Sequence, residues 1–202
     1  MRIVYGVHGY GRGHATRALA VLPALMQRHD VLVLAGAEAY GVLRAKYKVE
    51  RIPRFRFYYG KSGRLSNWLN FKRNVSGILD LFLQGPCSEM VADVIKQFEP
   101  DVVISDSEAF THHVGRRLGI PRISFDRYGQ LAHCELRLST MDRLRQRGGS
   151  FVYDLLCRKP ERAVVTCFFP APTRNKNVRL VGPVIRSEVL GVTPGDGEHL
   201  LA

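Results

Sequence analysis

Along the first half of the chain, short continuous apolar runs alternate with spaced apolar repeats. Residues 2–7 (RIVYGV) form a run of Ile, Val and Tyr, the mark of a buried strand. From His14 the spacing changes: Ala15, Ala18, Leu19, Leu22, Leu25 and Met26 recur every three to four residues, which predicts a helix. Residues 30–35 (DVLVLA) form a second buried strand closed by Gly36, followed by a short helix over 38–46 and a third strand over 48–52. The stretch 54–66 is polar and aromatic without a period. A helix is predicted over 67–83, with Trp68, Phe71, Val75, Ile78, Leu79 and Phe82 on one face. Gly85-Pro86 interrupts it, and another helix runs from Cys87 to Phe98, where Pro100 ends it. Further strands are expected at 101–105, 121–125, 162–169 and 178–181. Ser105 and Glu108 have capping-box spacing, so a helix should start there and run to Leu118, with Gly119 as its stop. Between 127 and 158 only partial helix is expected, because Gly148-Gly149 breaks it. From Gly182 the chain turns to linker, and His199 to Ala202 reads as the opening of another strand. This alternation predicts an α/β fold: a doubly wound, mostly parallel, Rossmann-like sheet.

Composition narrows the class. The chain has 202 residues, enough for one domain with a sizeable core, and no apolar run nears the ~18 residues of a membrane span. The opening run is too short for a signal peptide. Cys87, Cys134, Cys157 and Cys167 are widely spaced with no CxxC, which suits reduced thiols in a cytoplasmic protein. A net charge of +12 favours an anionic partner. Ten Lys or Arg residues fall between Arg44 and Arg73 against one acid, Glu50. Of these, Arg54, Arg56, Lys61, Arg64, Lys72 and Arg73 are interleaved with Phe55, Phe57, Tyr58, Tyr59, Trp68 and Phe71. The patch has two readings: contact with an anionic membrane surface, peripheral at the inner membrane face, or a solvated face over a satellite aromatic core. No recognition helix or RNP-like aromatic pair points to nucleic acid.

Candidate chemistry concentrates after the first strand, where Gly6, Gly9, Gly11 and Gly13 lead into a helix N-terminus, a natural place for anions. A dinucleotide fingerprint fails, since the third glycine position counted from Gly9 and Gly11 is His14, and Ala35-Gly36 replaces the acid after the second strand. A P-loop fails because His, not Lys, comes after Gly13. His14 then has two readings, a neutral imidazole acting as general base or a polar residue satisfying the first helical turn. His8 is a weaker rival for the base. Asp106, after the fourth strand, should face His14 across the crevice of a doubly wound sheet and orient its ring; it also suits the first turn of a helix. Asp126, after the fifth strand, either opens onto that crevice or caps the next turn of the chain. No metal site is expected, because His112-His113 and His133-Cys134 lack partners at ligand spacing.

Gly-x-Gly-His (Gly11 to His14) before a helix carrying Leu19-Ala20, then Val-Ile-Ser-Asp (Val103 to Asp106), resembles the N-terminal half of GT-B glycosyltransferases. The likeness extends to the peptidoglycan lipid-intermediate N-acetylglucosaminyltransferase, diacylglycerol glycosyltransferase and UDP-glucuronosyltransferase types. It covers nearly the whole chain, including Gly182-Pro183 to Arg186, which is similar to the interdomain linker. The resemblance implies an N-terminal acceptor-binding domain over 1–182, with 183–202 as linker and the start of a C-terminal donor-binding domain that is absent here. It implies inverting sugar transfer from a nucleotide-sugar donor to a hydroxyl acceptor, lipid-linked in some members, with no cofactor or metal. His14 would be the base, Asp106 its orienting carboxylate, and Gly9, Gly11, Arg12 and Gly13 the loop at the donor phosphates. Many members carry Pro where Arg17 stands, which points to a different acceptor contact, a phosphate or carboxylate held by Arg17. The alternative is a non-catalytic Rossmann-like module that binds an anionic lipid or phosphosugar through the loop and the basic patch. With the donor half absent, the chain alone should show negligible transfer.

Overall fold

The computed structural model describes residues 1–64, 66–157, 159–193 and 195. In chain order the elements are β1 (Arg2–Val7), α1 (Gly13–Met26), β2 (Asp30–Ala35), α2 (Ala37–Leu43), β3 (Val49–Arg51), α3 (Asn67–Leu83) and α4 (Pro86–Phe98). Next come β4 (Val102–Asp106), α5 (Ala109–Arg117), β5 (Arg122–Asp126), α6 (Gly129–His133), α7 (Thr140–Leu156), β6 (Arg162–Thr166), β7 (Val178–Val181) and α8 (Ser187–Leu190). The strands form one sheet in the order β3-β2-β1-β4-β5-β6-β7. Every pairing is parallel.

Period-two alternation on β1 divides the core between the two faces of the sheet. Val4 packs with Leu34, Val91, Ile95, Val103, Phe110 and Val114, beneath α4 and α5. Tyr5 and Val7 pack on the other face with Ala15, Ala18, Leu22, Ala39 and Leu43, from α1 and α2. Both faces of the central strands are therefore covered, which explains their near-continuous apolar sequence. The four cysteines are free thiols.

Several expectations are corrected. The helix after β4 is capped by Glu108, not Ser105: Glu108 accepts from the N–H groups of Phe110 and Thr111 at 3.1 and 2.7 Å. Ser105 stays in the strand, because parallel pairing with β1 continues to Val7 opposite Asp106. Its hydroxyl bridges the turn by donating to the Glu108 carbonyl at 2.7 Å and accepting its N–H at 3.1 Å. Gly148-Gly149 does not break α7. Tertiary bonds hold the helix on both sides of the pair, with Gln146 and Ser150 donating to the Leu131 carbonyl at 2.7 and 3.0 Å. Within the expected linker, residues 187–190 form the single turn α8. The strand expected over 162–169 ends at Thr166, and the strand expected at His199 to Ala202 lies outside the described residues.

The apolar face of α3 is largely exposed. Trp68 and Phe71 are 68% and 59% accessible, and Leu79 and Phe82 are also exposed, while Leu81 carries the helix into the core. Asn70 and Asn74, one turn apart, do the anchoring. Each accepts a backbone N–H and donates to a backbone carbonyl of the 54–66 segment, Asn70 at Tyr58 and Asn74 at Arg56, at 2.8–3.1 Å. They act as a surrogate strand that lays this segment along the helix.

Candidate active site

The connections reverse direction between β1 and β4, and in such sheets ligands bind outside the carboxyl ends of the strands at that point. Asp106 is the last residue of β4 and His14 sits in the first turn of α1. His14 Nδ1 lies 2.8 Å from Asp106 Oδ1. The imidazole is 26% exposed and the carboxylate 0%. Arg17, one turn further along α1, donates from Nε to Asp106 Oδ2 at 2.8 Å and from Nη2 to Oδ1, a bidentate pair. Arg17 Nη2 also stands 3.0 Å from His14 Nδ1. A lone pair on Nδ1 would face the carboxylate, so Nδ1 carries the proton and donates to Asp106. The Arg17 approach is then a contact between two donors, and Nε2 holds the free lone pair.

Burial by itself would raise the Asp106 carboxyl, but hydrogen bonds from Arg17 and then His14 outweigh it and hold the group below its ordinary range. His8 lies beside His14, ring centroids 5.1 Å apart, and is pushed down to about 4, chiefly by burial. Its Nε2 is buried and has no hydrogen-bond partner among the described residues. Tyr10 and Phe57 stand edge to face at 5.2 Å, and Phe57 lies 6.0 Å from His8, so the 54–66 segment roofs the glycine loop.

The glycines do different jobs. A Cβ on Gly9 would lie 2.7 Å from the backbone of Gly36, so Gly9 exists to let two loops touch. Gly11 holds φ +74. Around Gly13, the first residue of α1, there is open space. Arg12, at the N-cap, is exposed and makes no side-chain cap, and the first turn holds no acid, so its N–H groups meet no side-chain acceptor among the described residues.

The structure joins His14, Asp106 and Arg17 by hydrogen bonds, while Asp126 bonds elsewhere and feels Asp106 and Arg17 only through their charges. Asp126 is buried, with Oδ1 accepting the Gly129 N–H at 2.6 Å and Oδ2 accepting from Ser124 at 3.0 Å. Burial raises its carboxyl above the ordinary range. It caps the turn into α6. The guanidinium of Arg17 is spent on Asp106 and lies over the Phe125 ring at 5.5 Å. Arg54 folds inward, 15% exposed, pairing with Glu38 and donating to the Gly9 carbonyl at 3.3 Å. Arg56, Lys61, Arg64, Trp68, Lys72 and Arg73 are all exposed. Phe55 is the aromatic that turns in, stacked on Phe110 at 5.4 Å. Among the described residues no cluster of three metal-ligating side chains occurs.

Sequence reasoning missed Tyr10, Asn70 and Asn74, and placed Phe57 in the basic and aromatic patch without its contacts to Tyr10 and His8. Two asparagines one turn apart on a helix beside an aperiodic stretch were the available signal. It also missed the aromatic rim after β5 and β6, where Arg127 lies over Phe168 at 5.5 Å and Tyr128 is exposed.

This sheet order, with its crevice between β1 and β4, is the fold of the N-terminal half of a GT-B glycosyltransferase. The chain belongs to glycosyl transferase family 1, whose family model matches residues 1–202. It is similar in structure to MurG of Acinetobacter baumannii (17% identity, TM-score 0.52), covering 89% of this chain and 44% of that one. It is also similar to UGT2 of Phytolacca americana, solved with UDP-2fluoro-glucose and pterostilbene (16%, TM-score 0.55, 92% of this chain and 55% of that one). A third likeness is to the spinosyn rhamnosyltransferase SpnG complexed with spinosyn aglycone (16%, TM-score 0.50, 82% and 44%). The chain thus spans about half the length of the solved structures it matches. No curated protein matches its sequence.

Proposed function

We propose that the chain is the acceptor-binding half of an inverting, metal-independent glycosyltransferase in which His14 is the general base. The observation that carries this is the His14–Asp106 hydrogen bond at 2.8 Å across the β1/β4 crevice. His14 Nε2 takes the acceptor hydroxyl proton as that oxygen bonds to the anomeric carbon. The bond from that carbon to the phosphate oxygen breaks, and the nucleoside diphosphate leaves with the electron pair. Asp106 stabilises the imidazolium and fixes its tautomer. The uncapped first turn of α1, with Gly9, Gly11, Arg12 and Gly13 before it, faces the charge developing on the leaving phosphates.

Residues 1–182 form the acceptor domain in this reading, and 183–202 lead toward a donor-binding domain. The donor is a nucleotide sugar, and the acceptor a hydroxyl compound. The exposed Trp68 and Phe71, flanked by Lys61, Arg64, Lys72 and Arg73, support docking of an anionic membrane surface from the cytoplasmic side. No helix among the described residues is long and apolar enough to cross a membrane.

A second reading, a non-catalytic module for an anionic lipid or phosphosugar, is favoured by the open space at Gly13 and the uncapped helix end. One assay separates the two. In the full-length protein, transfer from a radiolabelled UDP-sugar should fall by roughly 10²–10⁴ in His14→Ala with acceptor binding retained, and residues 1–202 alone should transfer almost nothing. Intact turnover in His14→Ala removes the imidazole from the mechanism.

A further inference from the structure

Away from the crevice, α7 and the segments after α6 and β6 enclose an open cavity of about 510 Å³. Arg143 and Arg147, one turn apart on α7, line it together with Arg174, Gln146, Ser150 and Glu135. No residue of the His14 crevice contributes. Three exposed arginines and one exposed acid, Glu135, therefore share this lining, and among the described residues none of the three arginines makes a salt bridge. Like charges one helical turn apart destabilise a helix, so this arrangement is unfavourable when the cavity is empty of counter-charge.

The wall is nonetheless held in place. Gln146 and Ser150 both donate to the Leu131 carbonyl, which ties α7 to α6. Arg174 donates its backbone N–H to the His133 carbonyl at 2.8 Å and its Nη1 to the Ala132 carbonyl at 3.3 Å, beside the bridge between Cys134 and Thr173. Among the described residues the guanidinium forks of Arg143 and Arg147 make no side-chain bond and Arg174 makes only the one to Ala132, which leaves their other N–H groups for a ligand. Planar forks from several directions suit the tetrahedral oxygens of a phosphate, and an excess of two positive charges matches its charge near neutral pH.

The geometry points to a second, phosphate-binding site lined by Arg143, Arg147 and Arg174, which takes the phosphate of a diphosphate or of a phosphorylated lipid headgroup. It does not depend on the catalytic reading of His14.

Two probes distinguish the sources of that phosphate, inorganic pyrophosphate and monomeric dihexanoyl phosphatidic acid, each titrated calorimetrically into the chain. The wild type should bind at least one probe, and Arg143→Gln/Arg147→Gln should lose at least tenfold in affinity for one binding event. Arg174→Gln, on a different segment, should weaken the same event, and His14→Ala should leave it unchanged. Pyrophosphate binding assigns a free phosphate ligand, and binding of the lipid alone assigns a headgroup. Near-UV circular dichroism confirms that the variants stay folded. No binding of either probe, or binding unchanged in Arg143→Gln/Arg147→Gln, overturns the assignment.

Discussion

His8 shows what a single buried group does to the whole. Its ring nitrogen Nε2 has no partner among the described residues, and its titration is pushed down to about 4, chiefly by burial. In the unfolded chain the same imidazole titrates near ~6.5. Between those values the unfolded state binds more protons than the folded one, so stability rises with pH across the window and is fully present only above its top. The difference is about 3 kcal/mol, lost as pH falls from 6.5 toward 4. Urea unfolding of the wild type and His8→Gln at pH 7 and pH 4.5 should show a shallower acid dependence in the variant. An identical dependence would mean that His8 is solvated. Arg17 carries a different lesson. The sequence offered it as a contact for an acceptor anion, yet its guanidinium neutralises Asp106. A fully buried carboxylate needs a cation close by more than the crevice needs a second one.

The glycine loop shows that identical residues serve opposite purposes within one element. Gly9 is required by the fold, because an added Cβ would strike the Gly36 backbone, which cannot yield. Gly9→Ala should cost about 2 kcal/mol or more of stability by overpacking. Gly13 faces open space at the start of α1, where alanine is a better helix former. Gly13→Ala should therefore leave thermal stability intact, and any lost transfer would report obstructed ligand approach. Thermal unfolding of the two variants side by side checks both expectations. On α3, periodicity located the apolar stripe and left two directions for it, outward to a surface or inward onto a satellite core. Asn70 and Asn74 bind the 54–66 backbone and turn Trp68 and Phe71 outward.

On the scale of the molecule, that outward stripe and its cations form one exposed basic and aromatic surface. Co-sedimentation with vesicles containing phosphatidylglycerol should exceed that with neutral vesicles several-fold and weaken with salt. Trp68→Ser/Phe71→Ser should reduce it, while equal binding to neutral vesicles would refute an anionic docking face. The arginine cavity lies on other elements, so loss of one function should leave the other intact.

Periodicity and glycine placement were sufficient to read the parallel sheet, since strands covered on both faces must be apolar throughout and their crossovers must be helices. The His14–Asp106 pairing was legible for the same reason: this strand order places the ends of β1 and β4 side by side. Tertiary structure alone decided which charges are spent. Arg17, Arg54 and Asp126 look like ligand contacts along the chain, but each is consumed by a neighbour distant in sequence or by a local turn. Arg143, Arg147 and Arg174, thirty-one residues apart from first to last, belong to no motif along the chain, and folding gathers them around one cavity. Local pattern encodes burial and direction of the backbone, whereas the partner of a buried charge depends on which segments the sheet brings within hydrogen-bond reach.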